Sequence, residues 1–342
     1  MKTILVTNKE YVKASTVFSG YSKSTILPVP SDESDLAESV RKYAARCVIA
    51  GVEKYTGLLY EALREVTENS GSKNNSYGSL IARFGAGHDG IDKKLARQYG
   101  IAVTNTPGVL SRSVAEHTFW LMGSLFRNII KGDNTMRSGT FPSLSGFELG
   151  GKTLLIVGAG GIGRQVARIA RFGFGMYVFA VGSCPLHEFS ERQQVSPERF
   201  LNENGIERYS HEIDLLLPEA DVVSLHLAST PQTFHFVSKS RINLMKPSAV
   251  LINTARGAVV DEAALFEALV TNRIAGAGLD VFESEPYKPV TPDSDFRTLN
   301  NVVLTPHLGS SSVEANHRMA ELTLKNAELF FEQQFDKMNL VH

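Results

Sequence analysis

Short apolar runs alternate along the chain with longer stretches of helical spacing. In the first third, Ile4-Leu5-Val6, Cys47-Val48-Ile49 and Leu80-Ile81-Ala82 predict strands, and Asp35 to Ala45 predicts a helix. Thr67 to Ser79, rich in Asn, Ser and Gly, predicts a surface loop. Beyond Asn105-Thr106-Pro107-Gly108, the residues Val114, Thr118, Leu121, Met122 and Leu125 recur at helical spacing and predict one long helix from about 111 to 130. Gly132 to Gly151 predicts a loop. A second series of six strands follows: Thr153–Val157, Tyr177–Val181, Val222–Leu225, Ala249–Asn253, Ala275–Leu279 and Val302–Leu304. The stretch from about Ser311 to Phe331 is helical. Strands separated by helices predict βαβ units, an α/β fold and doubly wound parallel sheets.

The chain has 342 residues, and Lys plus Arg (35) nearly balances Asp plus Glu (36). That balance argues against a nucleic-acid binder that works by bulk charge and against a polybasic membrane patch. The length suggests two domains. Two cysteines, Cys47 and Cys184, give no disulfide scaffold and no paired-Cys zinc pattern, so no metal is expected. The first strand turns polar at Asn8-Lys9-Glu10, unlike a secretory segment, and no run of about 18 apolar residues occurs. A cytoplasmic protein is the expectation.

Gly158-Ala159-Gly160-Gly161-Ile162-Gly163 directly follows a strand and opens a helix with apolar Ile162, Val166, Ile169 and Ala170. In that context the glycines fit a dinucleotide fingerprint. Gly158 permits the turn, Gly160 lets backbone approach a pyrophosphate, and Gly163 lets helix and strand pack closely. An NAD-binding unit should carry an acid at the end of the next strand. Here Gly182 and Ser183 stand there instead, which leans toward NADP, although NAD can bind without that contact.

Three further strand ends carry polar chemistry: Thr254-Ala255-Arg256, Asp280 with Glu285, and His307. Arg offers a planar fork for a carboxylate. A histidine oriented by a carboxylate is a general acid and base. Each residue alone could be an ordinary loop residue. Their joint occurrence, in order, after successive strands of a dinucleotide sheet is specific.

At this point the chain resembles the D-isomer-specific 2-hydroxyacid dehydrogenases. The likeness rests on Arg83 to Asp92, Asn105-Thr106-Pro107-Gly108, Val114-Ala115-Glu116-His117, Leu149 to Thr153, and the Arg256, Glu285 and His307 motifs. It also takes in His226, Thr230-Pro231, Thr233 and His235. The resemblance implies two Rossmann-like or flavodoxin-like domains, with a dinucleotide domain (107–307) inserted into a substrate domain (1–106 plus 308–342). It implies NAD or NADP as cofactor, and a homodimer through the dinucleotide domain.

Position by position, the resemblance makes Arg256 the grip on the substrate carboxylate and carbonyl, His307 the proton donor, and Glu285 its partner. It gives the backbone of Ala86, Gly87 and His88 to the substrate carboxylate. Gly161 and Ile162 would lie under the pyrophosphate. Ala255 and Asp280 would hold the nicotinamide carboxamide, with Thr230 and Thr254 also on the cofactor side. His88 and His117 could approach the cleft.

Glu285 favours 2-oxo acid chemistry over formate, since formate dehydrogenases of this scaffold carry Gln there. Lys54 is a single cation near the expected substrate entrance, which disfavours a phosphorylated substrate. Phosphoglycerate dehydrogenase activity, a dinucleotide-sensing corepressor and tightly held cofactor of the S-adenosylhomocysteine hydrolase kind remain the alternatives.

Overall fold

The computed structural model describes residues 2–69 and 77–341. The chain divides into two compact units, Met1–Leu110 with Ser310–His342, and Ser111–Gly309.

The first unit holds five strands: β1 (Thr3–Thr7), β2 (Thr25–Val29), β3 (Cys47–Ala50), β4 (Ser79–Arg83) and β5 (Ile101–Thr104). They pair in parallel in the order β2-β1-β3-β4-β5. β3, β4 and β5 are buried at every position, the pattern of a parallel sheet covered on both faces. The apolar pattern points to β1, β3 and β4 only. β2 escapes it because Pro28 interrupts the run, which is tolerated because β2 is an edge strand with β1 as its one neighbour. β5 is only four residues long and runs straight into the Asn105-Thr106-Pro107 turn.

The helix expected from Asp35 starts earlier, at Glu33, because the Asp32 side chain accepts from the Ser34 N–H and caps it. It ends at Tyr43, where Ala44 turns left-handed at φ 46°. The loop expected over 67–79 is shorter at both ends. Thr67 to Asn69 finish the helix Leu58–Asn69, and Ser79 opens β4. The rest of that loop, residues 70–76, lies outside the described residues.

The second unit has seven strands rather than six: β6 (Thr153–Val157), β7 (Tyr177–Val181), β8 (Arg208–Ser210), β9 (Val222–Leu225), β10 (Val250–Asn253), β11 (Gly276–Leu279) and β12 (Val302–Leu304). β8 has three residues, two of them polar, and forms an edge, so it leaves no apolar run to read. All pairs are parallel, in the order β12-β11-β10-β9-β6-β7-β8. The chain leaves β6 toward β7 on one side and later returns to β9 on the other. The switch point therefore lies between the carboxyl ends of β6 and β9, where open α/β sheets take ligands.

The single long helix expected over 111–130 is two helices, Ser111–Phe126 and Ile129–Arg137. Asn128 between them is left-handed at φ 53°, a conformation that Asn tolerates, and its Nδ2 donates to Ser145 O at 2.9 Å. The second helix also takes Gly132 to Arg137 out of the predicted loop.

Two glycines fix the turn after β6. Gly158 adopts φ +105°, and a Cβ there would stand 2.5 Å from His226 O, so the ends of β6 and β9 touch backbone to backbone. A Cβ on Gly163 would stand 2.1 Å from Gly158 O, which seats the helix Gly161–Arg168 against the turn. Gly163→Ala should therefore lose about 1–3 kcal/mol of stability from overpacking. A urea unfolding midpoint indistinguishable from that of the parent would show that the turn can yield.

Candidate active site

Four consecutive strands, β9 to β12, deliver their following loops to one edge of the second unit's sheet. Asp280, just after β11, organises the loop that follows β12. It is 1 % exposed. Its carboxylate accepts from Thr305 Oγ1 (2.6 Å), Leu308 N–H (2.7 Å) and Gly309 N–H (2.8 Å), with His117 Nε2 at 3.3 Å. Burial alone would raise this carboxyl. The hydrogen bonds from His117, Thr305, Leu308 and Gly309 outweigh it and hold the group below the usual carboxylate range. His117 is thus tied to Asp280 and to Thr305 Oγ1, at 3.0 Å. A nicotinamide carboxamide would be a further donor to a carboxylate already well supplied.

The same aspartate fixes His307. The His307 N–H donates to Asp280 O at 2.8 Å, and His307 itself is left-handed at φ 56°. A non-glycine residue holds that conformation only where its surroundings impose it. Here the result is a ring whose Nδ1 lies 2.7 Å from Glu285 Oε2. The other carboxylate oxygen of Glu285 accepts from the Phe282 N–H at 3.1 Å. Burial would raise Glu285, but the bond and charge of His307, the Phe282 N–H and the charge of Arg256 together hold it below its ordinary value. Glu285 is therefore a carboxylate at neutral pH, and His307 Nδ1 carries a proton toward it.

Arg256 sits in extended backbone at the end of β10. Its carbonyl accepts from Asn253 Nδ2 at 2.9 Å, and its Nη1 donates to Ala255 O at 2.6 Å. Ala255 N–H donates to Asn253 Oδ1 at 3.1 Å. Thr254 is buried and its hydroxyl meets that of Thr118 at 3.1 Å, which joins the end of β10 to the helix Ser111–Phe126. Arg256, Glu285, His307 and Asp280 are thus brought to one place. Ala86, Gly87 and His88 belong to the first unit, in the loop after β4, where Asn105 Nδ2 donates to Ala86 O at 2.7 Å.

On the other side of the switch point, Gly160 precedes the helix Gly161–Arg168 with no side-chain cap, and a Cβ on Gly160 would meet nothing within 4 Å. Backbone N–H groups at a helix start with open space before them suit a pyrophosphate. Thr230 lies in the exposed loop after β9, its N–H donating to Thr233 Oγ1 at 2.8 Å. His226 is half-buried beside Ser224 Oγ (2.9 Å), and desolvation pushes its imidazole down to about 3, so it stays neutral.

Sequence reading could not anticipate Tyr209, because β8 itself was not legible. A Cβ on Gly182 would stand 1.8 Å from Tyr209 Oη. The ring is held by Phe189 and Phe200, and its hydroxyl donates to Cys184 O at 3.0 Å. Gly182 is thus glycine for lack of room, while Ser183 beside it is exposed. Gly182→Asp should lower the melting temperature by roughly 2–12 °C, since overpacking costs ~1–3 kcal/mol. Adding Tyr209→Leu should restore most of it. A Gly182→Asp variant that melts with the parent would refute the steric reading.

A sequence model of the D-isomer specific 2-hydroxyacid dehydrogenase NAD-binding domain matches residues 119–309. A glyoxylate reductase of Thermococcus litoralis is 40 % identical over 293 residues, 80 % of this chain and 83 % of that one. A crystal structure of a Thermus thermophilus protein superposes with TM-score 0.78 at 30 % identity, over 99 % of this chain and 100 % of that one. The NADPH-dependent glyoxylate/hydroxypyruvate reductase of Sinorhizobium meliloti, solved with NADP and malonate, gives TM-score 0.75 at 28 % identity, over 96 % and 93 %.

Proposed function

The chain belongs to the D-isomer specific 2-hydroxyacid dehydrogenase family, and from that premise we propose that it reduces a small unphosphorylated 2-oxo acid, such as glyoxylate, hydroxypyruvate or pyruvate, with NADPH preferred over NADH. The observation that carries this reading is the His307–Glu285 pair at 2.7 Å, with Arg256 in electrostatic reach of the same carboxylate. The turn Gly158 to Gly163 fits the cofactor pyrophosphate, and the bound nicotinamide supplies the hydride.

The chain's own residues do the rest. Arg256 takes the substrate carboxylate in its planar fork and polarises the adjacent carbonyl. His307 keeps Nδ1 on Glu285, so Nε2 is the atom that gives its proton to the carbonyl oxygen as the hydride arrives at carbon. In the reverse direction Nε2 takes that proton back. Glu285 fixes the ring through its Nδ1. Thr254, Ala255 and Asp280 shape the nicotinamide side.

Two features support NADPH. Gly182 supplies no carboxylate to repel a 2′-phosphate, and Tyr209 leaves no room for one. Exposed Ser183 offers a hydroxyl. Trp120 and Ile130, 69 % and 49 % exposed, line one pocket of the second unit, and we assign that side to a homodimer.

Purified protein should oxidise NADPH faster than NADH, read at 340 nm, with at least one of glyoxylate, hydroxypyruvate or pyruvate. Gly182→Asp with Tyr209→Leu should shift that ratio toward NADH. His307→Ala should abolish turnover while cofactor still binds, and Arg256→Ala should raise KM and lower kcat together. Undiminished turnover in either single variant would sink the mechanism. Glu285→Gln removes the carboxylate that accepts from His307 Nδ1. It should lower kcat about ten-fold or more with cofactor binding unchanged; undiminished kcat would remove Glu285 from the mechanism.

A further inference from the structure

Behind Glu285 lies a second buried carboxyl that the proposed reaction does not use. Glu262, first residue of the helix Glu262–Val270, is 4 % exposed. Its Oε1 accepts from the Glu283 N–H at 2.7 Å, and Glu283 Oε1 accepts from the Glu262 N–H at 3.2 Å. The two glutamates thus exchange side chain for backbone across two loops. His235 Nε2 adds a third contact, 3.0 Å from Glu283 Oε1. The loop after β9 is laced to the same place, since the His235 N–H donates to Ala258 O at 2.8 Å and the Val237 N–H to Val259 O at 2.9 Å.

These contacts join the loops that bear the reacting groups. A Cβ on Gly257, next to Arg256, would stand 1.8 Å from Phe282 C and 2.2 Å from Glu283 N, so the two backbones lie in direct contact. Phe282 in turn donates its N–H to Glu285 Oε1. We propose that Glu262 is a positioning residue: with Glu283 and His235 it fastens the loop carrying Glu285 to the loop carrying Arg256, with its carboxyl within electrostatic reach of Glu285. The inference rests on the reaction assigned above to that pair.

The groups facing Glu262 bear this out electrostatically. Glu283, Glu285 and Tyr287 face it from the loop after β11, and His235 from the loop after β9. Burial, with the negative charges of Glu283 and Glu285, pushes Glu262 up to about 7, against the opposing pull of the Glu283 N–H and His235. Its Oε2 is buried without a partner among the described residues, as suits a group that spends part of its time neutral. Below neutrality Glu262 is an acid. Above it, Glu262 adds a negative charge beside the loop that carries Glu283 and Glu285.

Two variants in the 340 nm assay test this. Glu262→Gln keeps the acceptor for the Glu283 N–H but cannot ionise. It should keep kcat within about two-fold on the acid plateau and remove the change in kcat/KM that the titration of Glu262 near neutrality gives the parent. Glu262→Ala removes the fastening and should lower kcat about ten-fold, with cofactor binding unchanged. A Gln profile superimposable on the parent's, or full kcat in the Ala variant, overturns the proposal. His307→Ala, run alongside, separates the two readings. If it still turns over, the reaction assigned to the pair fails; if it does not and Glu262→Gln is silent, Glu262 alone is misassigned.

Discussion

The buried carboxylate of Asp280 is the interaction on which the candidate site depends. Taken alone, burying a charge there is costly. The donors of Thr305, Leu308, Gly309 and His117 offset that cost, and in doing so they dictate the path of the chain after β12. That path holds His307 in a left-handed conformation that its sequence alone would not choose. Glu285 then meets the ring at the one nitrogen that leaves the other for chemistry. The His307–Glu285 pair is a product of a folding constraint one strand away from it.

A second constraint acts at the switch point. Gly158 and Gly163 let strand, turn and helix approach within distances no side chain would permit, and the resulting turn leaves open space at Gly160. The glycine turn is built by removing side chains, and the cluster of Arg256, Glu285 and His307 by crowding charged and polar ones together. Both are assembled at one sheet edge because the strands are parallel and their carboxyl ends coincide.

Much of this was legible in the residues. Continuous apolar runs gave six of the seven strands of the second sheet, and the glycine triplet announced the turn after β6. Arg256, Glu285 and His307 were visible because each follows a strand that could be read. What stayed hidden had little or no local apolar signal. β2 carries Pro28, β8 is a three-residue edge, and the break at Asn128 depends on one backbone conformation. The partnership of Glu262 with Glu283, and the collision of Tyr209 with position 182, are contacts between residues 21 and 27 positions apart. No periodicity encodes them.

The packing of Tyr209 over Gly182 bears on how such a protein can change through descent. An acidic residue at 182 is unwelcome while the tyrosine stands, and loss of the tyrosine alone would uncover the ring pair of Phe189 and Phe200 for no gain. A lineage that gains an acid at 182 therefore crosses a less stable intermediate unless residue 209 changes with it, so the glycine becomes historically entrenched.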